Sequence, residues 1–207
     1  MKRDFDSAAK TWDKDDARTR MSLAIADTML ASLNLDGTET LLDYGTGTGT
    51  VAFRLQPHVK QVLAADSSRG MLDVLAEKAK STGLTNVRGV FVDLEHEAPP
   101  PDVRPNVIVS AMALHHIADT ARFAKALHGL LPTGGKIALA DLDTESGDFH
   151  SDNTGVQHFG FDRDALTRVF TDAGFTHVRF QTAYTLTRPN SQGVEKTYTI
   201  FLLVAQN

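Results

Sequence analysis

The stretch at residues 39–50, Glu-Thr-Leu-Leu-Asp-Tyr-Gly-Thr-Gly-Thr-Gly-Thr, constrains the fold more than any other part of the chain. A short apolar run, Leu41 and Leu42, ends in Asp43. Gly45, Gly47 and Gly49 then alternate with threonine before a helix-compatible run at 51–55. Glycine lets the backbone turn at positive φ and approach a bound molecule closely, because no Cβ intervenes. A bend of this kind at the end of a parallel strand points the free N–H groups of the next helix at a ligand. The pattern implies a nucleoside-containing cofactor.

Short apolar runs at 40–43, 61–65, 87–92, 106–110 and 136–140 each end in a polar or small residue, as buried parallel strands do. Helical patterns separate them. Met21, Ile25, Met29 and Leu33 recur at helical spacing after the capping acids Asp13, Asp15 and Asp16, and Asn34 to Gly37 closes that helix. Met71, Leu72, Leu75 and Ala79 follow Ser67 and Ser68, while Phe123, Leu127 and Leu130 follow Asp119. Such alternation predicts βαβ units with helices on both faces of a parallel sheet. Pro99, Pro100, Pro101 and Pro105 mark a loop before the fourth strand. Residues 142–160 lack periodicity and are expected to form a long lid loop. Asp162 then caps a helix that Gly174 stops, and extended segments at 176–185 and 195–205 meet at a turn around Arg188-Pro189-Asn190.

At 207 residues the chain fits one domain, with a helical leader at 1–36. A net charge of −5 without any basic cluster argues against a nucleic-acid substrate. With no cysteine, disulfides, thiolate zinc sites and cysteine nucleophiles are excluded. The opening ten residues are polar and charged, so no secretory leader and no membrane span are expected, and a cytoplasmic chain is the default. Nothing in the sequence fixes an oligomeric state.

Asp43 ends the first strand, Asp66 the second, and Asp93 follows the third. Ligands of doubly wound sheets bind outside the carboxyl ends of the strands, so the three acids are expected to face one crevice. A carboxylate after the second strand suits the two hydroxyls of a ribose, and one further along suits the exocyclic amine of adenine.

Beyond these residues the chain resembles a known family. Leu41-Leu42-Asp43-Tyr44-Gly45-Thr46-Gly47-Thr48-Gly49, Ala65-Asp66-Ser67-Ser68-Arg69-Gly70-Met71, Phe91-Val92-Asp93-Leu94, Ser110-Ala111-Met112-Ala113-Leu114-His115-His116-Ile117-Ala118-Asp119 and Leu131-Pro132-Thr133-Gly134-Gly135-Lys136 are similar to the ordered motifs of class I S-adenosylmethionine-dependent methyltransferases. The opening Phe5-Asp6-Ser7-Ala8-Ala9-Lys10-Thr11-Trp12-Asp13 resembles the leader of the small-molecule branch, which includes ubiquinone- and menaquinone-type enzymes. The resemblance implies an α/β, doubly wound, Rossmann-like sheet of seven strands in three layers, the last strand antiparallel. It implies S-adenosyl-L-methionine as cofactor and a small organic molecule as acceptor, methylated at carbon, oxygen or nitrogen by in-line displacement. It further implies that Asp43, Gly45, Gly47 and Gly49 line the methionine and ribose portion. Asp66 would hold the ribose hydroxyls and Asp93 the adenine amine, with Ser67, Met71 and Leu94 around the base. Ser110 and Ala111 would pass beneath the sulfonium, and Trp12 would close over the cofactor.

His115 and His116, beyond the fourth strand, and His158, in the lid loop, are candidate proton acceptors should the methyl acceptor need to lose a proton. Asp141, Asp143, Glu145, Asp148 and Asp152 with His150 could be weighed as a metal cluster, but solvated loop acids that help select the acceptor are the simpler reading, and no metal is expected. Two other functions fit the glycine bend. A nicotinamide-dependent oxidoreductase also carries one, but its GxGxxG spacing is absent and it leaves Asp93 and the His-His pair unexplained. A cofactor-binding module without catalysis would keep the cofactor residues and lack turnover.

Overall fold

The computed structural model describes residues 4–190 and 192–207. Its seven strands are β1 (Thr40–Tyr44), β2 (Gln61–Asp66), β3 (Val87–Phe91), β4 (Val107–Ala111), β5 (Lys136–Leu142), β6 (Thr176–Pro189) and β7 (Glu195–Gln206). They form one sheet in the order β3-β2-β1-β4-β5-β7-β6. Neighbours are parallel throughout except at β7, which runs antiparallel to both β5 and β6. The α-helices are α1 (Phe5–Ala8), α2 (Asp16–Leu33), α3 (Thr50–Leu55), α4 (Arg69–Ser81), α5 (Thr120–Leu130) and α6 (Arg163–Asp172).

Central strands are buried on both sides, and their successive side chains feed two separate cores. Leu41, Val62, Val107 and Ala138 pack with the α2 stripe Met21, Ile25, Met29 and Leu33. Their neighbours Leu42, Leu63, Ile108 and Ile137 pack on the opposite side with Phe123 of α5, Phe170 of α6 and Phe175. The three-layer architecture follows from this alternation.

Caps set the helix starts. Asp15, Ser68, Asp119 and Asp162 each accept a backbone N–H from the residue three positions on, which satisfies one of the orphan donors of a first turn. Asn34 ends α2 in the left-handed region, at φ 48°.

The hairpin at the C-terminus differs from expectation in length. β6 continues through Arg188 and Pro189, with Asn190 N–H bonded to Val194 O and Gly193 N–H to Asn190 O beyond it. β6 is the sheet's edge, where the N–H that proline lacks is not needed by a further strand. Pairing of β6 with β7 runs on to Pro189 and Glu195, whereas β5 stops at Leu142 opposite Ile200. The hairpin therefore projects as an arm beyond the sheet. No helix among the described residues is long and apolar enough to cross a membrane.

Candidate active site

The sheet order reverses between β1's two neighbours, β2 and β4, and a crevice opens at the carboxyl ends of strands where such a reversal occurs. Here it is a cleft of about 820 Å³, within the range that encloses small ligands.

One side of the cleft is built by the bend after β1. Gly45, Gly47 and Gly49 have φ of 70°, 55° and 89°. A Cβ on Gly47 would lie 3.8 Å from Trp12 Nε1 in otherwise open space, so the missing side chain leaves room for a ligand. Gly49 instead caps α3 and sits against Leu75 and Phe53, outside the cleft wall.

Asp66 is fixed by this bend. Its Oδ2 accepts Gly47 N–H at 2.8 Å and its Oδ1 accepts Ser68 N–H at 2.9 Å. Each oxygen keeps a second lone pair for a ligand hydroxyl. Burial raises the pKa of Asp66, and the backbone donors offset part of that rise. Asp43 is buried beside it, bonded to the Thr46 hydroxyl at 2.7 Å. Burial pushes its carboxyl up to about 7, Thr46 works against this, and Asp66 adds repulsion. Asp93 also lines the cleft, bonded to Glu95 N–H at 3.2 Å and 3.2 Å from His96 Nδ1.

Of the residues expected at the site, Trp12, Asp43, Gly45, Gly47, Asp66, Ser67, Met71, Asp93, Ala111, His115 and His116 line the cleft together. Leu94 is buried in the core beneath it. Ser110 is turned inward, its hydroxyl donating to Tyr44 O at 2.7 Å. His158 is not at the wall: its Nε2 donates to Ile117 O at 2.9 Å and its ring packs on Phe161. Its backbone turns toward His115 O instead, which leaves Phe149, His150, Ser151, Asp152, Gly155 and Gln157 as the lining contributed by its loop.

That loop is tied down. Phe161 N–H bonds Leu142 O and Phe149 is buried. The acids weighed as a metal cluster serve separate partners: Asp141, in β5, meets His115, while in the loop Asp143 meets Arg163 and Thr199 and Asp148 meets Lys196.

Sequence reasoning overlooked two clamps that hold the leader over the cleft. Asp6 accepts Ser68 Oγ at 2.6 Å and Gly70 N–H at 2.7 Å. Asp13 accepts Thr48 Oγ1 at 2.5 Å and Lys78 Nζ at 3.0 Å. Between them Trp12 lies edge-on to Phe5, with the Arg18 guanidinium 4.1 Å from its ring centre. Phe5 in turn packs edge-on against His116, whose Nδ1 donates to Gly155 O at 2.9 Å. The leader thus spans both halves of the cleft. Acids at intervals of 62 and 35 residues from their partners leave no local signature.

Comparison with known proteins gives a consistent picture. A family model described as a methyltransferase domain matches residues 16–180. An uncharacterised methyltransferase of Schizosaccharomyces pombe is 31% identical over 152 residues, 67% of this chain and 54% of that protein; the chain spans about half the length of the curated relatives it matches. A SAM-dependent methyltransferase from Aquifex aeolicus superposes with a TM-score of 0.71 at 23% identity, over 99% of this chain and 98% of the other. Phosphoethanolamine N-methyltransferase 2 of Haemonchus contortus, solved with S-adenosyl-L-methionine, superposes with a TM-score of 0.70 at 16% identity, over 91% and 52%. These two structures share the fold. On the family model and the sequence relatives together, the chain belongs to the methyltransferase-domain family.

Proposed function

We propose that the cleft binds S-adenosyl-L-methionine and that the chain transfers its methyl group to a small organic acceptor. The observation that carries this reading is the pair Asp43 and Asp66, which line one cleft at the glycine bend, Asp43 buried on the Thr46 hydroxyl and Asp66 half-buried and fixed by the N–H groups of Gly47 and Ser68. Burial raises the pKa of both by disfavouring their charged forms, and a cationic ligand would favour those forms again. A nucleoside with a sulfonium and an ammonium group is such a ligand. The residues fit the group: Asp66 keeps lone pairs for ribose hydroxyls, Asp93 lines the same cleft and could accept from the amine of a base, and Gly47 leaves space at the bend.

Bound there, the cofactor supplies a methyl group already activated by positive sulfur, so the protein's main task is alignment. Trp12 and the leader shield one side from water, and Ala111 and Met112 form the floor. The acceptor would enter between Phe149, Tyr184, Leu186 and Arg188, where the arm and the loop after β5 close the cleft.

Calorimetry with S-adenosylmethionine and a screen of small acceptors followed by S-adenosylhomocysteine release test the reading. Binding with turnover on at least one acceptor is expected. Absence of affinity for the cofactor overturns it, and affinity without turnover on any acceptor leaves a binding module.

A further inference from the structure

The cleft wall also carries a buried imidazole–carboxylate pair that cofactor binding does not require. His115 lies in the 3-10 turn after β4 and Asp141 near the end of β5, with side chains 2% and 0% exposed. Asp141 Oδ1 is 2.8 Å from His115 Nδ1 and accepts Leu142 N–H at 2.7 Å, while Oδ2 accepts the His115 backbone N–H at 3.0 Å. Burial pushes the Asp141 carboxyl up, but the attraction of the His115 ring when it carries a proton on both nitrogens, and the hydrogen bonds from His115 and Leu142, outweigh it, so the group stays below the usual carboxylate range. An ionised carboxylate only accepts, which puts a neutral ring's proton on Nδ1 and its lone pair on Nε2. That Nε2 is buried and has no hydrogen-bond partner among the described residues. An orphaned buried acceptor costs about 1–3 kcal/mol. A merely structural pair could avoid this cost with an apolar side chain of similar shape. Met112, in the same connection, is held at φ 56°, a strained backbone that clusters at functional sites.

Resting on the cofactor reading above, we infer that His115 is the proton acceptor of the reaction, with Asp141 holding the imidazolium, and that the methyl acceptor is a flat phenolic or enolic hydroxyl. The cleft that His115 lines also carries Phe5, Phe149, Tyr184 and Leu186, with Phe5 packed on His116 and Phe149 on His150, the two rings against His115. A phenol, with a pKa of about 10, lies within reach of an imidazole, whereas an aliphatic alcohol does not. In the step, a lone pair on the acceptor oxygen forms the bond to the methyl carbon and the carbon–sulfur pair departs with sulfur, leaving a neutral thioether. The O–H pair stays on oxygen as its proton moves to His115 Nε2. The titratable groups against the ring are Asp141 of β5, His116 of its own turn and His150 of the loop after β5, whose ring centres lie 4.2 and 4.9 Å away for the two histidines.

The test uses the full chain with S-adenosylmethionine, 4-methoxyphenol and 4-nitrophenol, the latter about as acidic as imidazolium. In wild type, nitrogen NMR of the ring is expected to show the Nδ1–H tautomer, with the Nε2 resonance moving toward its protonated position when 4-nitrophenol joins the S-adenosylhomocysteine complex. An Nε2–H tautomer in the free protein overturns the proposal, whether or not any variant folds. In His115→Gln and Asp141→Asn, cofactor affinity should stay within about twofold by calorimetry. Turnover of 4-methoxyphenol should fall by about 100-fold or more, and that of ionised 4-nitrophenol only a few-fold, with activity on 4-methoxyphenol recovering as pH rises. Equal losses on both phenols, or none, overturn it. Wild type that binds the cofactor and methylates no phenol overturns the proposal alone; wild type without cofactor affinity overturns the reading beneath it.

Discussion

Asp43 is held, protonated up to about pH 7, at a point where the unfolded chain would have a carboxylate of pKa 3.8. Between those values the folded state binds more protons than the unfolded, so stability falls as pH rises from about 4 to about 7. Ligand-free protein unfolded by urea across that window should show this slope, amounting to a few kcal/mol; Asp43→Asn should remove most of it, leaving the part due to Asp66. An unchanged slope in the variant would assign the effect elsewhere. Asp66→Ala should weaken S-adenosylmethionine binding by about tenfold or more, the equivalent of about 1.4 kcal/mol, since charge-assisted bonds to ligand hydroxyls are lost. Unchanged affinity in calorimetry would contradict the ribose role. These acids could be located in the sequence because each terminates an apolar run, and strand ends are where such folds bind. Ser110 and Leu94 occupy equally suggestive positions but turn inward, Ser110 because strand alternation decides it and Leu94 in the turn after β3 because its apolar side chain packs into the core. The His115–Asp141 pair joins residues 26 apart through tertiary structure alone, so only half of it could be anticipated.

Among the elements, the strands were legible to within two residues at every end but the last of β6, and burial on both faces writes β1, β2, β4 and β5 as short apolar runs. The leader was not. Its α1 and the following 3-10 helix, Ala9–Lys14, bury little beyond Ala9, so hydrophobic periodicity has nothing to register. They are placed instead by polar clamps to the ends of other elements. Asp13 joins the bend before α3 to Lys78 of α4, and both charged side chains are more than a third exposed. Solvent screening then limits the pair to about 1 kcal/mol or less. Asp13→Ala should therefore leave the unfolding midpoint nearly unchanged while accelerating hydrogen exchange at 5–14 and weakening cofactor binding several-fold. Exchange that is as slow as in wild type would show that the apolar contacts of Trp12 and Phe5 hold the leader unaided.

At the scale of the molecule, the cleft has two walls of different origin. The cofactor side comes from β1, β2 and the bends that follow them, fixed by sheet topology. The opposite side comes from the arm of β6 and β7 and the loop after β5, which side-chain contacts hold to each other in addition to the loop's bonds to β5, β7 and the turn after β4. Asp148 accepts Lys196 Nζ at 2.7 Å, Asn190 Nδ2 at 3.2 Å and the Tyr198 hydroxyl at 3.2 Å. The Arg188 guanidinium lies 4.4 Å over the Phe149 ring and donates to Phe149 O. Such a wall can vary without disturbing the cofactor half. Arg188→Ala deletes the stacking and the carbonyl bond together, freeing Phe149 and the residues after it to move at the acceptor's entrance. The expected result is a several-fold rise in the acceptor's KM, with S-adenosylmethionine affinity unchanged and the melting temperature lowered by a few degrees. The measurement pairs calorimetry for the cofactor with initial rates for the acceptor. Cofactor affinity and acceptor KM changing by the same factor would mean that the two walls move as one body, and that acceptor choice cannot be retuned through the arm alone.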